Sequence, residues 1–279
     1  MRKLLLCLSM AIVFCIVTAG CRKDDNDNGV MPEVYETDPP VFKPVTQKVN
    51  DLVGGYYRAL PARYSESSRP YPLLLFLHGG GQFGNGSYDL PLLLNEGIPQ
   101  LLDEKKFPAD FVVDGSHYSF IVLAPQFTRV PDDNAIASFL DHAAKTYRID
   151  STRIYVCGFS LGGRMAFDFG AAFANKLAAI VPISGAPNYD LVNKSQRIAQ
   201  ANLPVWAFHN RPDALFSMRE TKDFVDMING HHPMNAARLT IFPDSTGLLG
   251  HDAWSRATHP SYKENNRNIY EWMLQYKKH

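Results

Sequence analysis

The sequence has no surplus of either charge. Its 279 residues carry 28 basic and 28 acidic side chains. Nothing is left over to neutralise a phosphate backbone, which excludes nucleic acid as an expected partner. Cysteine is scarce as well, confined to Cys7, Cys15, Cys21 and Cys157. The first two fall in an apolar leader, and if Cys21 is consumed at its end, one thiol remains. A single cysteine makes no internal disulfide, so the folded body must rely on its core. Cys157 lies in an apolar run and reads as a buried structural thiol. Internal repeats, low-complexity tracts and domain-scale linkers are missing after residue 45. With 46% hydrophobic and 20% charged residues, the composition argues against disorder and suits one large domain.

The N-terminus carries the clearest address. Arg2 and Lys3 precede the apolar stretch from Leu4 to Val17, too short for a comfortable membrane span but suited to a signal peptide over residues 1–20. Thr18-Ala19-Gly20-Cys21 resembles the bacterial lipobox, with Thr18 where leucine is usual. The expectation is an exported lipoprotein of the outer membrane, lipidated at Cys21 and touching the membrane through that lipid only. Residues 21–45 are polar and contain Pro32, Pro39, Pro40 and Pro44, the composition of a flexible tether. Lys23-Asp24-Asp25 reads either as a signal for the cell surface or as solvated linker.

From Thr46 the chain alternates strand-like and helix-like segments, predicting a catalytic domain over residues 46–279. Strands are expected at 56–60, 73–78, 120–124, 153–158, 178–183, 205–209 and 239–242. Leu73-Leu74-Leu75-Phe76-Leu77 is apolar throughout, as in a strand covered on both faces. Helical spacing occupies 132–147, 161–174, 218–229 and 266–276. This pattern predicts an α/β fold, a mostly parallel twisted sheet of about eight strands with helices on both faces.

Gly158-Phe159-Ser160-Leu161-Gly162 is a G-x-S-x-G pentapeptide between an expected strand and an expected helix. That junction turns so sharply that flanking side chains would clash, hence glycine on both sides. The turn presents the Ser160 hydroxyl at the C-terminal edge of the sheet and at a helix N-terminus, which favours developing negative charge. Leu73 to Leu77 leads into His78-Gly79-Gly80-Gly81, where glycines let the backbone aim amides into a pocket. Two such amides stabilise an oxyanion, each by on the order of 3 kcal/mol. The amide of Leu161 is one candidate, and Gly80 or Gly81 supplies the other. His78 is expected to hold this loop.

Serine needs a base oriented by an acid. Asp213 follows the strand ending at His209, whereas Asp190 and Asp226 sit on or beside helices and Asp244 comes too close before the base. His251 occupies the glycine-rich loop after the last strand. His231 and His232 follow a helix end, and His259 and His279 lie in polar or terminal contexts. The expected triad is Ser160, Asp213 and His251. Phe83, Tyr88, Phe127, Tyr189 and Trp254 lie near these loops and either stack on a sugar or feruloyl ring or serve packing.

At Leu77-His78-Gly79-Gly80-Gly81, the elbow through Gly163, and Gly250-His251-Asp252-Ala253-Trp254, the chain resembles the α/β-hydrolases. The likeness is to their polyhydroxybutyrate-depolymerase-like and family-one carbohydrate esterase branch, which includes predicted peptidases, and it spans roughly residues 50–277. Asn210 stands where that branch often has glycine before its acid. The resemblance implies a serine carboxylic-ester hydrolase working through an acyl-enzyme, with neither metal nor organic cofactor. Its implied substrates are acetyl, feruloyl or other short acyl esters, often on polysaccharides. A peptidase of the same fold and a non-catalytic surface binding protein are the alternatives.

Overall fold

The computed structural model describes residues 35–245 and 247–278; the expected signal peptide, Cys21 and the first part of the tether lie outside them. The described chain runs Val41–Val45 (β1), Val53–Leu60 (β2), Tyr71–Leu77 (β3), Gly97–Asp103 (α1), Phe111–Val113 (β4), Ser116–Tyr118 (β5) and Ile121–Phe127 (β6). It continues through Asp133–Thr146 (α2), Ile149–Phe159 (β7), Leu161–Ala172 (α3), Ala179–Ile183 (β8), Leu191–Gln200 (α4) and Trp206–Asn210 (β9). Met218–Gly230 (α5), Arg238–Phe242 (β10), Ala253–Ala257 (α6) and Ile269–Leu274 (α7) complete it. Eight strands form one sheet in the order β1-β2-β6-β3-β7-β8-β9-β10, and β4 and β5 form a separate hairpin. β1, β2 and β6 pair antiparallel; every pairing from β6 to β10 is parallel.

Strand periodicity explains why this sheet is covered on both sides. Leu73, Leu75 and Leu77 of β3 enter one apolar cluster with Phe139 of α2, Met165 of α3 and Phe224 of α5. Leu74 and Phe76 enter the other, with Ile98 of α1, Trp254 of α6 and Trp272 of α7. β7 repeats the division: Ile154 and Val156 go one way, Tyr155, Cys157 and Phe159 the other. A central strand can be apolar at every position only when both faces are packed. Cys157 is the buried thiol its sequence context predicts; burial alone raises its pKa far above the ordinary range.

The expected boundary at residue 45 is corrected by the structure. Val41–Val45 is an edge strand, paired antiparallel from Val41 opposite Leu60 to Val45 opposite Tyr56. Upstream, the buried Glu36 accepts a hydrogen bond from the amide of Arg63 through Oε2, and Tyr35 packs edge-on against His117. The proline-bearing sequence hid this strand, because Pro44 lacks a donor and such a residue is tolerated at an edge. The last helix is shorter than expected: Asn268 caps it in a reciprocal capping box with Glu271, so helix begins at Ile269.

Candidate active site

β7 runs directly into α3, and Ser160 is the single residue between them. It takes φ 54° and ψ −122°, a region costing a non-glycine residue about 1–3 kcal/mol. Two backbone bonds hold it there: Ser160 N–H donates to Ile183 O at 2.8 Å, and Ser160 O accepts from Arg164 N–H at 3.1 Å. Close approach of α3 to β3 explains the glycine after the elbow. A Cβ on Gly162 would stand 2.0 Å from Leu77 O, closer than any atom tolerates.

The three expected side chains, distant in sequence, meet here. Ser160 Oγ lies 2.8 Å from His251 Nε2, and His251 Nδ1 lies 2.7 Å from Asp213 Oδ2. Asp213 can only accept, so Nδ1–H donates to it and leaves the Nε2 lone pair for the serine hydroxyl. Phe216 stacks on the imidazole at 5.4 Å between centroids, and Trp254 meets it edge-on at 5.0 Å. The ring therefore has little freedom to turn.

The Asp213 carboxylate is fully buried and its hydrogen bonds are saturated. Oδ1 accepts from the amides of Leu215 and Phe216, both at 3.0 Å, while Oδ2 also lies 3.2 Å from His209 Nε2, whose N–H it shares with Phe216 O at 3.1 Å. Burial by itself would raise its pKa. The bonds from His209, His251 and Phe216 outweigh that and hold it well below the usual carboxylate range. The rejected acids lie elsewhere: Asp226 pairs with Lys222 and Asp244 with Arg256, all exposed, and Asp190 precedes α4.

The acid and base loops are stitched together by contacts the sequence did not advertise. Ala214 N–H donates to Leu249 O at 2.9 Å. Gly250 has φ 74°, and a Cβ there would lie 2.4 Å from Pro212 O. Asn210, buried at the end of β9, donates through Nδ2 to Gly250 O at 2.8 Å and to Asp252 Oδ1 at 2.6 Å. These partners flank His251, so the asparagine that departs from the resembled pattern braces the base loop.

Gly80 and Gly81 are exposed at the start of the loop after β3, and Gly80 lies beside the Leu161 side chain. Leu161 is the first residue of α3, so its N–H has no acceptor within the helix. The loop is anchored from below. His78 Nδ1–H donates to Gly79 O at 2.7 Å, and Nε2 accepts from Phe127 N–H at 3.0 Å. Gln126 adds a second brace: its Nε2 donates to Gln82 O and Asp89 O, and its Oε1 accepts from Gly86 N–H. Sequence inspection anticipated His78 but not Gln126, His209 or Asn210, because a polar residue closing a strand carries no local signal.

Burial pushes the His78 imidazole down to about 4, so it folds neutral. Between roughly pH 6.5 and 4 the unfolded chain binds a proton there that the native protein refuses. Stability is therefore fully present above this window and lost as pH falls through it, by about 3 kcal/mol for a shift of this size. Urea unfolding at stepped pH should show a steeper fall for the parent than for His78→Gln. Equal slopes would remove the assignment. The depressed Asp213 acts only below the ordinary aspartate value of about 4, so the two windows do not overlap.

Among the described residues, no group of three or more His, Cys, Asp or Glu is arranged to hold a metal ion. The BD-FAE family model matches residues 62–180, which include the elbow and the glycine loop. The phospholipase/carboxylesterase model matches residues 130–254, which include Ser160, Asp213 and His251. The chain belongs to the α/β-hydrolase superfamily. It is 30% identical over 175 residues to a bifunctional acetylxylan esterase/xylanase of Neocallimastix patriciarum, a match covering 62% of this α/β-hydrolase and 24% of that protein. It is 27% identical over 206 residues to feruloyl esterase D of Neurospora crassa, covering 68% and 65% respectively. The chain thus spans less than two thirds of either relative. In fold, it is similar to a thermostable esterase (TM-score 0.60, 20% identity, covering 87% of this chain and 64% of that one). A ferulic acid esterase gives a TM-score of 0.56 at 15% identity, covering 78% and 93%.

Proposed function

We propose that this α/β-hydrolase is a serine carboxylic-ester hydrolase that cleaves short acyl esters, acetyl or feruloyl, from polysaccharides. The observation that carries the proposal is the relay from Ser160 through His251 to Asp213, with both hydrogen bonds under 3 Å and the hydroxyl presented on a strained elbow. The acyl groups are those in the names of its relatives, an acetylxylan esterase/xylanase and a feruloyl esterase.

Chemistry follows from the geometry. His251 Nε2 takes the proton as Ser160 Oγ bonds to the ester carbonyl carbon, and the carbonyl oxygen becomes an oxyanion. The Leu161 amide and that of Gly80 or Gly81 would stabilise it at the helix N-terminus. When the tetrahedral centre collapses, the bond to the alcohol oxygen breaks and His251 returns the proton to the leaving alkoxide. Water, deprotonated by the same nitrogen, then attacks the acyl-enzyme, and the carboxylic acid departs with Ser160 reprotonated. Asp213 remains ionised throughout and stabilises the imidazolium.

Purified protein should turn over 4-nitrophenyl acetate, and acetylated or feruloylated xylan, with both activities lost in Ser160→Ala. Hydrolysis of peptides in place of esters would overturn this reading in favour of a peptidase. The site would be delivered to a bacterial outer membrane by the lipid at Cys21, a proposal that rests on the leader and lipobox alone. Radiolabelled palmitate should enter the parent protein but not Cys21→Ala; equal labelling would remove it.

A further inference from the structure

We propose that a cleft beside the elbow, rimmed by Tyr189, binds a sugar ring of the polysaccharide that carries the scissile ester. This inference rests on the ester-hydrolase reading and adds where the alcohol side of the substrate is held. The cleft has a volume of about 290 Å³ and lies between the entry to α2 and the first turns of α3; Pro131, Asp133, Arg164, Asp168 and Tyr189 line it.

Arg164 is one helical turn from Ser160, about 6 Å along the axis. The chain leading to Tyr189 leaves from Ile183, whose carbonyl holds the Ser160 amide. A chain bound here can place an acyl group on a neighbouring residue within reach of the serine.

Of the aromatic residues near the site, Tyr189 is the one both exposed and braced. Phe127 and Trp254 are buried in the core, while Tyr88 stands 92% exposed. Tyr189 is 55% exposed, and the ammonium of Lys194 sits 3.3 Å from its ring centroid. Lys194 is itself buried and pinned by Asp168 at 2.6 Å, and Asp168 also receives Arg164 Nε–H at 3.3 Å. The buried Lys194 fixes the plane of the ring, the Arg164 guanidinium lies 5.7 Å from the same centroid, and about half of the residue remains exposed. A half-exposed aromatic ring held in a fixed plane suits the apolar C–H face of a sugar.

Polar complements stand beside it. Asp132 is engaged, capping α2 by accepting from Ala135 N–H at 2.8 Å. Asp133 is half-buried at the cleft, and burial, then the Asp168 charge, raises its pKa. Asp132, Asp133 and Asp168 line the cleft beside Arg164, with Lys194 bonded to Asp168 beneath, so the lining disfavours an anion and suits the hydroxyl donors of a neutral polyol.

The test compares Tyr189→Ala with the parent on 4-nitrophenyl acetate and on an acetylated xylo-oligosaccharide. The KM for the oligosaccharide ester should rise roughly 5- to 10-fold with kcat held, the loss expected for one aromatic contact. The aryl ester should be unaffected, and Tyr189→Phe should restore the parent KM. In parallel, Ser160→Ala protein is titrated with xylohexaose with and without the Tyr189 substitution. An unchanged oligosaccharide KM, or equal losses on both esters, overturns the subsite. Aryl-ester turnover with neither cleavage nor binding of the oligosaccharide also overturns it and leaves the esterase standing. Tyr189-dependent xylohexaose binding in a protein that cleaves no ester would support the subsite and sink the catalytic reading.

Discussion

Ser160→Ala should lower kcat on 4-nitrophenyl acetate by on the order of 10⁶-fold, with KM changed only a few-fold. The hydroxyl is the atom that forms the acyl-enzyme, and no other nucleophile is placed to replace it. The Ser160 side chain makes one hydrogen bond, to His251, and the elbow is held by backbone bonds to Ile183 and Arg164. Alanine preserves those bonds, so the variant should fold with an unchanged or slightly higher melting temperature. Residual turnover above the uncatalysed rate is expected from the amides that remain around the site. A loss below tenfold in a folded variant would show that the chemistry runs elsewhere.

Asp213→Asn comes next, with an expected fall in kcat on the order of 10⁴-fold. In the parent, the carboxylate accepts Nδ1–H of His251 and so forces the lone pair onto Nε2, facing the serine. An asparagine amide can donate to Nδ1 instead, which moves the imidazole proton to Nε2 and blocks it as a base. The same NH2 group, in the place of Oδ2, also meets His209 Nε2–H, which requires an acceptor there. Some loss of stability should accompany the kinetic effect, and melting temperature separates the two. Asp244→Asn is the matched control, since that residue lies on the surface paired with Arg256, and it should retain activity within twofold. Reversal of the two outcomes would transfer the acid's role.

Legibility followed the range of the underlying interaction. β3 and β7 were readable because an unbroken apolar run has one stable setting, a strand packed on both faces. The elbow was readable because a serine between glycines at a strand-to-helix corner is a local steric requirement. α4 was not anticipated: its Lys194 is buried, and the carboxylate that pairs with it, Asp168, comes from α3. β1 was equally hidden, since an edge strand with one neighbour imposes little pattern on its own residues.

The order of chemical groups along the chain, the corner that carries the hydroxyl and the apolar strands beneath it were therefore written in nearest-neighbour terms. Those terms are short-range sterics and burial, which each segment satisfies largely on its own. Packing alone settled how Asn210 braces the loop of the base, how His209 shares the acid and how Lys194, held by Asp168, meets the Tyr189 ring. Each of these depends on polar groups far apart in sequence finding one another at under about 3.5 Å, a condition that exists once the sheet has assembled.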